Sequence, residues 1–315
     1  MSDIGLIHRT EYEIEDDRSG RGGAPGRGGS SVSGPYGSGH KTESRSETVV
    51  IAEAPGRIHF LGEHSEQKAG LFISSEIDRY ARVAVSIRKD NSLRFYAADL
   101  GERKRTTLLN LKYKREDRWA NYIKVAIHVF AELGYPVKGL NFTISGDIPQ
   151  QVGLASSSAI EAATALALKG FFKANIAERD LIYCLTASKA QFFGTDNSLV
   201  DYLIIFSAKK DQFLVIDESG LKVKRIKSPL GKYKLIVMDS RVPRMGVDEE
   251  LKQRHADIKK GLDLLSNRKQ GTSFRDFAAT DLGESMGNLP EEIRRRSLHV
   301  VQEIRRVNDA DESLK

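Results

Sequence analysis

The chain has 315 residues, 40% of them hydrophobic and 29% charged, an ordinary balance for a globular protein long enough for two lobes. No apolar run approaches the ~20 residues of a membrane span, and the N-terminus has no apolar signal-peptide core, so we expect a cytoplasmic protein with no membrane partner. The net charge of +6 suits an anionic ligand such as a nucleotide and would also suit nucleic acid. The single cysteine, Cys184, excludes an internal disulfide and is predicted to be a packed thiol.

Residues 1–46 differ in composition from the rest of the chain. Nine of the 27 glycines lie between Gly20 and Gly39, together with serine, arginine and proline and almost no aliphatic residues. Because such a segment cannot bury enough apolar surface to offset its ordering entropy, we expect it to be disordered. Its arginine–glycine steps resemble nucleic-acid-binding tails, but a flexible extension is favoured, so no nucleic-acid partner is expected.

From residue 47 onward, strand-like and helix-like patterns alternate. The alternating run 81–87, a polar turn and the run 93–97 predict a hairpin. Helical spacing predicts a helix over 119–133, ended by Gly134. Further strands are predicted at 48–52, 140–145, 213–216, 221–226 and 235–238, and further helices from Ser156, at 249–265 and at 291–307. Strands that come in pairs with helices between them predict an α+β fold.

The stretch 146–161 is the most informative part of the sequence. A strand ends, a loop of small residues follows, and an alanine-rich helix begins. Small side chains and the free N–H groups of a helix N-terminus can surround phosphate oxygens. Three serines at 156–158 add hydroxyls able to bind phosphate or Mg²⁺, and Ser158 with Glu161 is the pattern of a capping box. The Walker pattern Gly-x-x-x-x-Gly-Lys-[Ser/Thr] does not occur, so another type of phosphate loop is indicated.

The motif Pro149-x-x-x-Gly153-Leu154-x-Ser156-Ser157-Ser158 is similar to the phosphate-binding motif of the GHMP kinases (galactokinase, homoserine kinase, mevalonate kinase and phosphomevalonate kinase). The resemblance implies a two-lobed α+β fold. An N-terminal lobe of ribosomal-protein-S5-like β-α topology is expected over 47–208, and an α/β lobe over 209–315. It also implies ATP as the cosubstrate and Mg²⁺ as the metal, with Ser157 as a metal ligand. The residues expected to hold the ATP phosphates are Gly153, Leu154, Ala155, Ser156, Ser157 and Ser158.

A second motif resembles the sugar-binding signature of the galactokinase branch of this family. It reads Ala54-Pro-Gly-Arg57-Ile-His-Phe-Leu-Gly-Glu63-His64-Ser-Glu66, and the resemblance implies that Glu63, His64 and Glu66 contact the sugar. Carboxylates and a histidine suit that role because they accept hydrogen bonds from hydroxyl groups.

A third segment, Gly194–Tyr202, is similar to the family segment whose aspartate faces the attacking hydroxyl. The resemblance implies Asp201 as the catalytic base and Arg57 as its partner, a carboxylate and a guanidinium suited to phosphoryl transfer. From composition alone, Asp196 is a rival base.

The resemblance implies ATP-dependent phosphorylation of a monosaccharide at its anomeric hydroxyl, galactose first, by a monomer. The alternative is a sugar- or nucleotide-binding relative that does not turn over. It is motivated by four departures from the family pattern: Glu66 for an aspartate, Leu251 for a tyrosine, Lys189 for an acidic Mg²⁺ residue and Gln151 for a glycine. The family's third, glycine-rich motif is not found before Lys315, so the C-terminal lobe is expected to be incomplete.

Overall fold

A computed structural model describes residues 8–13, 46–65, 70–194, 199–242, 247–285 and 290–314. The strands in these ranges are β1 (His8–Glu13), β2 (Ser46–Leu61), β3 (Leu71–Ile87), β4 (Leu93–Ala97), β5 (Glu102–Thr106), β6 (Leu140–Gly146), β7 (Gln212–Asp217) and β8 (Lys222–Lys227). The helices are α1 (Ala120–Glu132), α2 (Ser156–Phe172), α3 (Glu178–Phe193), α4 (Leu199–Ser207), α5 (Val247–Ser266), α6 (Ala279–Ser285) and α7 (Glu291–Ser313). In these ranges no helix has the length and apolar character that a bilayer crossing requires.

The strands form one mixed sheet in the order β1-β2-β3-β6-β4-β5, with β7 and β8 added beside β3. Besides β2, strand β3 pairs with one strand at its beginning and with a different strand at its end. Its first residues, Leu71–Ser74, pair with β7, and its last residues, Ala81–Ile87, pair with β6. The long antiparallel ribbon of β2 and β3 therefore connects β7 and β8 with the rest of the sheet. The α+β fold predicted from the sequence is confirmed.

The predicted hairpin of 81–87 and 93–97 is wrong. Strand β6 lies between the two runs, antiparallel to β3 and parallel to β4. Leu140 is the partner of both Ile87 and Leu93, so it separates the two strands on either side of the turn. The turn was recognised correctly, but the pairing was decided by a strand almost 50 residues further along, which α1 returns to the sheet.

Two further predictions need correction. Residues 235–238 form no strand and pair with none of the described strands, and Ile236 and Met238 are 79% and 87% exposed. Within the segment 1–46, residues His8–Glu13 pair with β2 as an edge strand. Backbone hydrogen bonds hold such a strand, so the segment's lack of apolar residues did not exclude it. The boundary near residue 208 stays a prediction.

The main core lies between the sheet and the first four helices. Val83, Val85 and Phe142 from the sheet meet Ile123 of α1 and Leu166 of α2, all 5% exposed or less. A second cluster joins α5, α6 and α7, and α7 also packs on β3. This packing holds α2, α4 and α7 around the middle of the β2–β3 ribbon, where the candidate site lies.

Candidate active site

Arg57 lies on β2 where that strand runs against the phosphate loop. The Arg57 backbone N–H donates to the Leu154 carbonyl at 3.1 Å. Gly56 makes this approach possible, since a Cβ there would lie 3.0 Å from the Leu154 oxygen and 2.9 Å from Ile77 Cδ1. The strand signature and the loop motif, about a hundred residues apart, therefore form one surface.

Asp201 stands in the first turn of α4 and faces Arg57. Arg57 Nε donates to Asp201 Oδ1 at 2.6 Å, and Arg57 Nη1 donates to the Gly153 carbonyl at 2.6 Å. The two side chains are only 15% and 16% exposed. The structure thus brings the predicted pair together with the phosphate loop, and the catalytic roles of the two residues stay predictions.

Burial alone would raise the pKa of Asp201. The positive charges of Arg57 and Lys189, with the hydrogen bond from Arg57, outweigh burial and lower the pKa below its ordinary value. Asp201 is therefore an ionised carboxylate at neutral pH, able to accept a hydrogen bond from a substrate hydroxyl.

His59 is a site residue that the sequence reasoning missed. Its Nε2 lies 4.0 Å from Asp201 Oδ1, and its Nδ1 is 2.8 Å from Ser74 Oγ. Burial, with the charge of Arg57, lowers its pKa to about 4, so it is a neutral imidazole at pH 7. The signal was available, because His59 follows Arg57 by two positions on one strand and so points to the same side.

The phosphate loop is built from an unusual run of left-handed residues. Gln151, Gly153 and Ala155 have φ angles of 62°, 86° and 58°. Gln151 thus has a backbone conformation that favours glycine, the residue that the family resemblance implies at this position. The free N–H groups of the first turn of α2 begin directly after Ala155, with Ser156 and Ser157 half-buried at that end. Backbone donors of this kind suit phosphate oxygens.

The predicted capping box is wrong, because the helix begins two residues earlier than Ser158. Ala155 precedes the first turn and has no side-chain oxygen to cap it. Ser158 and Glu161 turn inward instead. Ser158 Oγ donates to Asp201 Oδ2 at 3.1 Å, and Glu161 is fully buried.

Lys189 of α3 joins Ser158 and Glu161 in one buried hydrogen-bond network. Its Nζ donates to Ser158 Oγ at 3.1 Å and to Glu161 Oε2 at 2.9 Å. Tyr202 donates its hydroxyl to the same Glu161 oxygen at 2.5 Å. A chain of polar groups therefore runs from Arg57 through Asp201, Ser158 and Lys189 to Glu161.

The sugar signature continues from β2 into a turn held by α7. Gly62 N donates to Glu303 Oε1 at 2.8 Å, and His299 Nε2 lies 2.8 Å from the Glu63 carbonyl oxygen. The Glu63 side chain is exposed. Burial, followed by the charge of Arg254, lowers the pKa of His64 to about 4, so its ring is neutral at pH 7.

The turn directly follows β2, the strand that carries Arg57 and His59, and the charge of Glu63 acts on His59. The predicted sugar residue Glu66 and the rival base Asp196 lie outside the described residues.

The described donors around the loop do not fit a metal held by protein carboxylates. In the described ranges, no group of three or more His, Cys, Asp or Glu side chains is arranged to hold an ion. Asp201 is bonded to Arg57, and Glu161 is bonded to Lys189 and Tyr202. Mg²⁺ prefers oxygen ligands that include a carboxylate, and the Ser157 hydroxyl by itself is a weak substitute.

Two family models match parts of the chain. Residues 121–209 match the model of the GHMP kinases N terminal domain, and residues 39–87 match the galactokinase galactose-binding signature. The structure is similar to that of a Lactococcus lactis galactokinase complexed with galactose, with a TM-score of 0.77 at 23% identity over 84% of this chain and 70% of that one. A Methanococcus jannaschii mevalonate kinase has a TM-score of 0.53 at 18% identity, over 82% of this chain and 79% of that one. Fold and loop thus define a GHMP kinase.

Two curated relatives indicate which branch of the GHMP kinases the chain belongs to. A putative galactokinase of Treponema pallidum is 32% identical over 88% of this chain and 69% of its own length. A galactokinase of Clostridium perfringens (strain ATCC 13124) is 28% identical over 85% of this chain and 70% of its own length. The chain belongs to the galactokinase family of the GHMP kinases.

Proposed function

We propose that this chain transfers the γ-phosphoryl group of ATP to the anomeric hydroxyl of a monosaccharide, and that the sugar is galactose. The observation that carries the proposal is the Arg57–Asp201 pair, which lies where the phosphate loop meets the sugar-signature strand. The family membership and the galactose named for the Lactococcus lactis structure support the choice of sugar.

The ion pair suits the reaction in a simple way. The ionised Asp201 accepts a hydrogen bond from the anomeric hydroxyl and takes its proton as the oxygen bonds to the γ-phosphorus and the bond to the β-phosphate oxygen breaks. The Arg57 guanidinium holds Asp201 in place and offers positive charge near the transferring group. Phosphoryl transfer depends mainly on positioning and electrostatics, so a weakly basic carboxylate is sufficient.

The first turn of α2 and the backbone of the loop are the proposed site of the ATP phosphates. A cleft beside them, lined by Tyr80, Trp119, Ile148 and Ser156, offers apolar and aromatic surface for the nucleoside. Mg²⁺ at Ser157 stays a prediction, as do a monomeric state and a cytoplasmic location.

A coupled ADP-release assay with a panel of substrates tests the proposed function. The panel contains galactose, glucose, mannose and mevalonate, and ³¹P NMR identifies the phosphorylated position. We expect release of ADP that depends on galactose and a product phosphorylated at the anomeric oxygen. Turnover with mevalonate but with no sugar would assign the chain to another GHMP activity. Calorimetric binding of galactose or ATP by a folded sample that never turns over would support the binding-only alternative instead.

A further inference from the structure

Lys189 lies where a cation can act on the phosphates of a bound nucleotide. Its ammonium is 3.1 Å from the Ser158 hydroxyl, one residue beyond Ser157 in the first turn of α2. The side chain is 12% exposed, so water screens the ammonium weakly.

Glu161 fixes the position of that ammonium. The Glu161 side chain is 0% exposed, and Lys189 is the cation that pairs with it. Burial raises the pKa of Glu161, while the charge of Lys189 and the hydrogen bonds from Tyr202 and Lys189 oppose that rise. A buried carboxylate without its cation is strongly destabilising, so the lysine cannot swing away at little cost.

The charge at this position is opposite to the one a metal ligand needs. The family resemblance implies an acidic Mg²⁺ residue at position 189, and a lysine there changes the local charge by two units. An ammonium repels a divalent cation and attracts phosphate oxygens, as does the N-terminal end of α2 beside it. Among the described residues, the two carboxylates of this network are already paired, Asp201 with Arg57 and Glu161 with Lys189 itself.

We propose that Lys189 neutralises nucleotide phosphate in place of a protein-bound metal, so that this chain binds the metal-free nucleotide polyanion about as tightly as its magnesium complex. The proposal rests on the proposed function only in taking the loop as the nucleotide site.

The test is calorimetric titration of the full chain with ADP and with a non-hydrolysable ATP analogue, in EDTA and in Mg²⁺, without sugar. We expect the wild-type Kd to differ by less than about threefold between the two buffers. In Lys189→Glu, we expect metal-free affinity to fall by about tenfold or more and Mg²⁺ to restore most of it, since loss of a charge-assisted contact is of that size.

A second variant guards against misfolding, because Lys189→Glu places two carboxylates together. Glu161→Gln/Lys189→Met removes both charges, and the amide oxygen can still accept from Tyr202. Its metal-free affinity should also fall by about tenfold. The matched control is Lys138→Met, an exposed lysine before β6, at the opposite end of that strand from the loop. It also removes one positive charge, and it should leave both affinities unchanged.

A wild-type Kd that rises more than tenfold in EDTA overturns the inference, as do unchanged metal-free affinities in both Lys189 variants. Absence of nucleotide binding in either buffer overturns it as well. Galactose turnover together with strongly Mg²⁺-dependent binding refutes only this inference. Metal-independent binding without turnover of any sugar refutes only the proposed function.

Discussion

Replacement of Arg57 by methionine tests the electrostatic design of the site. The change keeps an unbranched apolar stem and removes two donors, each 2.6 Å from its acceptor, on Asp201 and on the Gly153 carbonyl. Both charged side chains are about five-sixths buried, at 15% and 16% exposure, so solvent screens the pair weakly. Loss of a preorganised donor at a reacting centre typically costs about 2.7–4 kcal/mol in kcat, so we expect a fall of roughly 10²–10³-fold.

The same variant should change the pH dependence of the reaction. In the wild type, positive charges outweigh burial and hold the pKa of Asp201 below its ordinary value. Activity needs the ionised Asp201 carboxylate. The wild type should therefore stay active until the pH falls below the ordinary pKa of an aspartate. Without Arg57, the effect of burial gains weight and the pKa of Asp201 rises. The acid limb of kcat/KM should therefore move to higher pH.

The assay is galactose-dependent ADP release between about pH 4 and 9, with galactose affinity measured by calorimetry in parallel. Arg82→Met is the matched control, because Arg82 donates to Glu53 at 3.1 Å across the same two strands and is 44% exposed. That exposed pair contributes at most about 1 kcal/mol, so its variant should keep its activity within about twofold. An Arg57→Met protein with kcat within threefold of wild type and an unmoved acid limb would refute the reasoning.

Three further changes probe the elements that support the site. Glu303→Ala removes the acceptor of the Gly62 N–H and should raise the galactose KM more than it changes kcat. The free energy of unfolding in urea should fall by about 1–3 kcal/mol. An unchanged KM would contradict the role given to α7. A hydrogen bond from Arg275 lowers the pKa of Asp217 from 3.8 to about 2, so Asp217 adds stability that is full above pH 4 and lost as the pH falls towards 2. Asp217→Asn should therefore cost about 1–2 kcal/mol at pH 7 and almost nothing at pH 2, and a pH-independent loss would exclude this linkage. Gln151→Gly removes the backbone strain of a non-glycine residue with a φ of 62° and should stabilise the fold by about 0.5 kcal/mol in thermal melts. A destabilised variant would show that Gln151 makes a favourable contact.

The sequence was sufficient for the parts of the site that short motifs define. Arg57 and Asp201 are 144 positions apart, yet each could be placed in a motif, and the structure puts them in contact. Four helices, α1, α2, α5 and α7, also followed from local sequence patterns, and Gly134, with a positive φ of 82°, ends α1 as predicted. Helices α3, α4 and α6 were not predicted.

What could not be predicted depended on distant partners. The pairing of β3 and β4 was decided by β6. Residues 235–238 pair with none of the described strands, which their local apolar pattern could not show. The ion pair of Glu161 and Lys189 joins two helices whose separate patterns gave no sign of the contact, so Ser158 and Glu161 were interpreted as a local cap instead. The tether from Glu303 to Gly62 spans 241 positions and carries no local signal either.

Asp201→Asn tests the central claim most directly, because asparagine keeps one oxygen that can accept from Arg57 and loses the charge and the basicity. Its amide NH2 replaces the oxygen that accepts from Ser158, whose hydroxyl can turn to accept instead. Galactose-dependent ADP release and calorimetric galactose binding are measured on the same folded sample. If Asp201 is the base of a galactose kinase, kcat falls by about 10²–10⁴-fold while the Kd for galactose changes by less than about threefold. A variant that keeps the wild-type kcat would contradict the account.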